Sequence, residues 1–148
     1  MKKEMYVSLW LGNRKSEEDL ENYVGFDYSD DVTASEFSKD FDVNPDEIDE
    51  DFFESAYLPE SSGIISILLM GCSYEKEVIG EFERKIGDKL PSAYNSVILV
   101  YDYQYTRKIP AYSPKSHFEF IDYVKISYQD LKIYCISSIT VQCPYPLD

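Results

Sequence analysis

The chain has 148 residues, 44% of them hydrophobic, and a formal net charge of −14. That length fits one domain over residues 1–148, which would bury about two thirds of the surface its unfolded chain exposes, without staples. So negative a field repels nucleic acid and anionic lipid, which excludes direct nucleic-acid binding and a membrane-surface role.

Met5 to Gly12 is apolar on both faces, with Val7, Leu9 and Leu11 on one side and Tyr6, Ser8 and Trp10 on the other. This is the pattern of a central strand. Lys2 and Lys3 precede it as in a secretory leader, but Glu4 interrupts and no small-residue cleavage site follows, so the strand reading stands. Ser16 then caps a helix with Leu20, Tyr23 and Val24 at i, i+3 and i+4. Thr33-Ala34-Ser35-Glu36 is a capping box that predicts a second helix, with Phe37 and Phe41 one turn apart.

Phe52 to Leu58 reads as a strand that Pro59 ends. Ser61 and Ser62 are placed to cap a buried helix through Met70, whose apolar run is about half the length needed to span a bilayer. Ser73 is placed to cap a longer helix, in which Tyr74, Val78, Phe82 and Ile86 recur at i+4, Glu81 and Lys85 form an ion pair, and Gly87 stands at C′. After Pro91 the chain turns to strands, at Ser96–Tyr105, His117–Ile126 and Leu131–Val141. Strands in succession favour antiparallel pairing. The expected architecture is α+β, with helices packed on one face of a mixed or largely antiparallel sheet.

Charge is the most informative feature. Residues 1–60 carry 18 acidic and 5 basic side chains, whereas residues 61–148 carry 10 and 9. Between Asp27 and Glu60, 13 carboxylates face the single cation Lys39. Aromatic residues interleave with them, and an aromatic at the rim of a charged patch has the composition of a binding hot spot. Asp27, Tyr28, Asp30, Asp31, Asp42, Asp46, Glu47, Asp49, Glu50, Asp51 and Glu54 are therefore the candidate partner-binding residues. The carboxylates of the first helix, Glu17 to Glu21, need no function beyond a solvated face and a favourable place at a helix N-terminus.

Chemical sites are less well supported. Asp42, Asn44 and Asp46 occupy the first, third and fifth positions of a calcium loop, but Glu47 replaces the glycine of the sixth and Phe53 the carboxylate of the twelfth. His117 is the only histidine, and Cys135 on the next predicted strand makes a Cys–His pair conceivable. No glycine-rich loop, oxyanion motif or nucleophile elbow accompanies them. Cys72, Cys135 and Cys143 form no CxxC pair, so neither a disulfide framework nor a zinc site is expected, and the thiols read as those of a cytoplasmic protein. No catalytic residue, metal or cofactor is expected, and the chain reads as a binder and not an enzyme. Tyr101, Tyr103 and Tyr105 alternate on one face of a predicted strand, Tyr101 packed beneath helices and the other two partly exposed.

Tyr6-Val7-Ser8-Leu9-Trp10-Leu11-Gly12-Asn13, Ser16-Glu17-Glu18, Ser35-Glu36-Phe37-Ser38-Lys39-Asp40-Phe41 and the run from Leu90 to Tyr101 resemble the immunity protein 22 family of bacterial polymorphic toxin systems. The resemblance spans residues 5 to about 105 and implies a cytoplasmic antitoxin that protects its producer by binding a cognate toxin. It carries no catalytic residues. A toxin that acts on nucleic acid presents a basic cleft, which an acidic domain reaches fast and blocks. The expected partner is thus a basic, nuclease-like toxin domain. The competing expectation is an acidic interaction or chaperone-like module for another basic protein.

Overall fold

The computed structural model describes residues 2–25, 35–44, 47–48, 50–106, 112–113 and 117–129. Strand β1 (Lys2–Gly12) leads to helices α1 (Glu17–Val24) and α2 (Glu36–Phe41), then through a 3-10 turn at Glu50–Phe52 into β2 (Phe53–Ile64). Helices α3 (Ile65–Leu68) and α4 (Glu75–Ile86) follow, then β3 (Lys89–Tyr101), the two-residue β4 (Tyr112–Ser113) and β5 (Phe118–Gln129). The sheet order is β2-β3-β1-β5-β4, and every described pairing is antiparallel. No described helix is long and apolar enough to cross a membrane.

β1 is central, as its two-sided apolar pattern predicts, because both faces of the sheet are covered. Met5, Val7, Leu9 and Leu11 join Val97, Leu99, Tyr101, Val124 and Ile126 beneath Ile65 and Leu68 of α3 and Val78 and Phe82 of α4. Trp10 faces the other way, with Ile98, Val100 and Phe118 beneath Leu20 and Tyr23 of α1 and Phe37 and Phe41 of α2. Helices on one face only is therefore the wrong arrangement: α1 and α2 form one layer, α3 and α4 the other. The two layers cover a strand that is apolar on both sides.

Local signals explain most boundaries. Ser16 Oγ accepts the N–H of Asp19 at 3.0 Å, as its position before α1 predicts. The cap of α2 is Ser35 and not Thr33, its Oγ accepting Ser38 N–H at 3.0 Å. β2 runs through Pro59 and its neighbouring register shift to Ile64, so the expected helix from Ser61 is strand, and α3 is one short turn. Proline is tolerated there because β2 is an edge strand with a ladder on one side only. Asp88 caps α3 from a distance, its carbonyl accepting Ile65 N–H at 2.8 Å and its carboxylate Ser66 N–H at 3.1 Å.

α4 starts after Tyr74, which takes φ 54° and makes no side-chain cap, while Ser73 turns toward Glu54. Gly87 ends the helix at φ 86°, a conformation open to glycine. Lys85 reaches Asp122 on β5 at 2.9 Å, and Glu81 takes Arg84 at 2.6 Å in place of the expected Lys85. The strand predicted at Leu131–Val141 lies outside the described residues.

Trp10 is fully buried and meets Phe37 edge-on at 4.9 Å, Tyr105 at 4.9 Å and Phe120 at 5.2 Å. Each such aromatic pair adds about 0.5–1.5 kcal/mol beyond its buried area. A bulge in the β1–β5 pairing, between Leu9 and Trp10, brings Phe120 opposite Trp10 by skipping Ile121. Trp10→Ala should destabilise the fold by ~3–5 kcal/mol in urea unfolding, and native Trp10 fluorescence should be blue-shifted and poorly quenched by iodide. Water-like emission from the folded protein would contradict this packing.

Candidate partner-binding surface

In the described part of the acidic segment, buried apolar anchors alternate with exposed carboxylates. α2 ends at Asp42, which takes φ 54° while its N–H donates to the carbonyl of Ser38. Val43 and Ile48 then insert into the Trp10 layer, leaving Asp42, Asn44 and Glu47 exposed between them. The 3-10 turn carries Asp51 and Phe52 on the surface, and Phe53 packs against Phe37 at 5.9 Å. Asp42, Glu47 and Asp51 are thus exposed beside the buried anchors of one layer, to which α1 adds exposed Glu17, Glu18 and Glu21. Asp27, Tyr28, Asp30, Asp31, Asp46 and Asp49 lie outside the described residues, as does the side chain of Glu50.

Glu54 is set apart from these by its partners. Its carboxylate accepts the N–H of Ser73 at 3.1 Å, the hydroxyl of Ser73 and the hydroxyl of Tyr101 at 2.9 Å. These bonds tie the start of β2 to the start of α4. Burial first, with Cys72 and Glu54 adding to it, pushes the Tyr101 hydroxyl far above its usual range, so it remains a donor.

Beside this tie lies a groove that sequence reasoning missed. Its volume is about 360 Å³, its walls are residues 53–56 of β2 and 68–72 after α3, and its floor is Val97 and Leu99 of β3. Phe52, Ile67 and Met70 are the exposed large hydrophobic side chains among the described residues, at 38%, 45% and 67%. Ile67 and Met70 belong to the run read as buried helix. Because α3 is a single turn, only Ile65, Leu68 and Leu69 of that end are buried. Burial pushes the thiol of Cys72, on the groove wall, up to about 12; Glu54 and Glu75 add to the shift, and the Tyr101 hydroxyl partly offsets it.

The remaining candidates fall at separate places in the fold. His117 is exposed with φ 61°, its carbonyl accepting Asn13 N–H at 3.1 Å, and Cys135 lies outside the described residues. Gly12 matches this close approach, since a Cβ there would stand 2.5 Å from the His117 carbonyl. The three tyrosines do not share a face: β3 ends at Tyr101 in the α3–α4 layer, whereas Tyr105 is buried in the Trp10 layer with its hydroxyl on the Phe41 carbonyl at 2.8 Å. Tyr105 is therefore core and not partly exposed. Ser8 Oγ brings it there, donating to the Tyr103 carbonyl at 2.7 Å and accepting Tyr105 N–H at 3.0 Å. Among the described residues no group of three His, Cys, Asp or Glu side chains is placed to hold a metal ion.

The turn between β1 and α1 is held by a different charge pair. Arg14 meets Asp19 at 3.0 Å and lies 4.6 Å from the centre of the Tyr23 ring, while Asn95 holds the Arg14 backbone through its amide. The Lys15 backbone N–H first, and then the Arg14 guanidinium, hold the Asp19 carboxyl below its ordinary range.

Residues 7–128 match the family described as Immunity protein 22, and the chain belongs to that family. Membership indicates a toxin-neutralising role and a cognate toxin as partner. Comparison with curated proteins and with solved structures finds no match.

Two outcomes follow from these environments. The depressed pKa of Asp19 stabilises the fold above the unfolded-state value of about 3.9 and is lost as pH falls through the lower folded value. Asp19→Asn should therefore lower the thermal midpoint near neutral pH, with the gap closing at about pH 2; a constant gap would refute the charge argument. In a Cys135→Ser, Cys143→Ser chain, native Cys72 should react with a disulfide reagent near neutral pH far more slowly than a model thiol, as measured by the release of reagent chromophore, and should react freely once urea unfolds the chain.

Proposed function

We propose that the chain, as a member of an immunity family, neutralises its toxin in the bacterial cytoplasm by binding a basic, nuclease-like toxin domain and blocking access to it. The proposed contact surface is the acidic segment: Asp27, Tyr28, Asp30, Asp31, Asp42, Asp46, Glu47, Asp49, Glu50, Asp51 and Glu54. The observation that carries this reading is the exposure of Asp42, Glu47 and Asp51 beside the buried anchors Val43 and Ile48. Charge held on an anchored segment costs less ordering on binding than charge on a free chain. Glu54 contributes field and not a free carboxylate, since its oxygens are taken by Ser73 and Tyr101.

The mechanism needs no chemistry from the chain. A nuclease holds its substrate by neutralising phosphates with lysine and arginine, so its cleft is the strongest positive feature it offers. A protein with net charge −14 is drawn to that cleft at a rate that salt suppresses. Once docked, it excludes the nucleic acid by occupancy and by repelling phosphate. Desolvated aromatic contacts then set the lifetime of the complex.

The test is to express the cognate toxin domain and measure survival and binding kinetics together. Replacing Asp42, Glu47 and Asp51 by Asn, Gln and Asn should lower the association rate roughly tenfold at low salt and flatten its salt dependence, with folding stability nearly unchanged. His117→Ala should protect as well as the parent chain. An unchanged association rate and salt slope in the triple variant would remove the acidic segment from the interface, and a folded His117→Ala chain that fails to protect would overturn the inert-binder mechanism.

A further inference from the structure

We infer that the groove between β2 and the α3–α4 connection is the anchor pocket of the toxin interface, and that it takes a large apolar side chain of the toxin flanked by lysine or arginine. This inference rests on the toxin-neutralising reading and adds to it a place where binding energy is concentrated.

Three observations converge on the groove. The first is exposed apolar surface: Met70, 67% exposed, lies on its wall, and Ile67, 45% exposed, lies three residues earlier in the chain. Large apolar side chains gathered at one place on a surface mark an interaction site, whereas scattered ones do not. The second is shape. Val97 and Leu99, each 2% exposed, line its base, and the small Ala56 of β2 is the register partner of Val97. A volume of about 360 Å³ is at the lower end of the ~300–1,000 Å³ typical of enclosed ligand sites, a scale suited to one anchoring side chain and its neighbours.

The third is charge. Glu54 is the one charged residue lining the groove. Asp51 is exposed just before β2, and the Glu75 carboxylate accepts the N–H of Gly71, a wall residue, at 2.9 Å. Lysine and arginine are absent from the lining, so the charge that borders the groove is negative. An apolar pocket with such a rim favours an apolar side chain beside a cation and disfavours one beside a carboxylate. The groove is also continuous with the acidic segment, because the 3-10 turn that carries Asp51 and Phe52 runs directly into Phe53 and Glu54. Carboxylates that speed encounter thus lead into the pocket that holds the partner, a separation of roles expected when long-range charge sets the association rate and desolvated contacts set dissociation.

The experiment uses the full chain and its cognate toxin domain, with binding followed by surface-based kinetics and folding by circular dichroism and urea unfolding. Ile67→Ser combined with Met70→Ser alters only exposed side chains and should raise the dissociation rate roughly 10- to 100-fold while folding stability holds. Ala56→Trp should plug the groove and weaken binding by a similar factor. If it does not fold, the serine pair alone decides. Asp51→Asn with Glu75→Gln should lower the association rate and flatten its salt dependence. Folded serine variants that dissociate at the parent rate would overturn the groove assignment while leaving toxin neutralisation intact. A parent chain that does not bind the toxin would overturn both. If the parent chain self-associates in sedimentation and the serine pair abolishes this without affecting toxin binding, the groove is a contact between copies and the inference is wrong.

Discussion

The fold depends on the burial of β1 from both sides. A strand whose alternate side chains are Met5, Val7, Leu9 and Leu11 on one face and Trp10 with the hydroxyl of Ser8 on the other has no side to offer to water. Neighbours on either edge satisfy its backbone, and two helical layers satisfy its faces. The three longer strands around it acquire their positions from that requirement. The acidic segment acquires its place from the same source, since Val43 and Ile48 dock on the layer that covers Trp10.

The two layers differ in physical character. The Trp10 layer is aromatic, and its geometry comes from ring contacts and from hydroxyls with defined partners: Tyr23 to Asp40 at 3.0 Å, Tyr105 to the Phe41 carbonyl, and Ser8 to the chain after β3. The opposite layer is mostly aliphatic and is closed at its rim by the Glu54–Ser73–Tyr101 bonds. A directional aromatic layer suits the support of a charged surface, because its segments are held in place while their carboxylates remain solvated. The aliphatic layer ends in a gap beside Ala56, where a partner side chain could complete the packing. The exposed Asp51 and the groove meet at the turn entering β2, so charge and apolar surface lie within one continuous stretch.

Membership of an immunity family indicates a toxin-neutralising role. Neutralisation by occupancy asks for complementarity and for no reactive group. The environments of Tyr101 and Cys72, both driven by burial toward their neutral forms, suit structural roles. His117 sits at a backbone turn whose closeness to Gly12 explains its geometry without catalysis.

The sequence by itself determined the central strand, the aromatic stripes of α1 and α2, the helix from Val78 to its stop at Gly87, and the charge imbalance between the two halves. These are local or compositional properties: alternation, i+4 spacing, a serine before a helix and a count of carboxylates do not depend on what lies across the sheet. Only the tertiary structure decided that helices cover both faces, that β2 continues past Pro59, that Tyr101 and Tyr105 part to opposite layers, and that Ile67 and Met70 face water. Each of these depends on contacts distant in sequence. Edge position lets a strand keep a proline, the hydroxyl of Ser8 captures the chain that carries Tyr105, and Asp88 caps α3 from 22 residues away. The groove is the clearest case, because it arises from a short helix, a small residue on an edge strand and the floor of a third element, which no single window of sequence brings together.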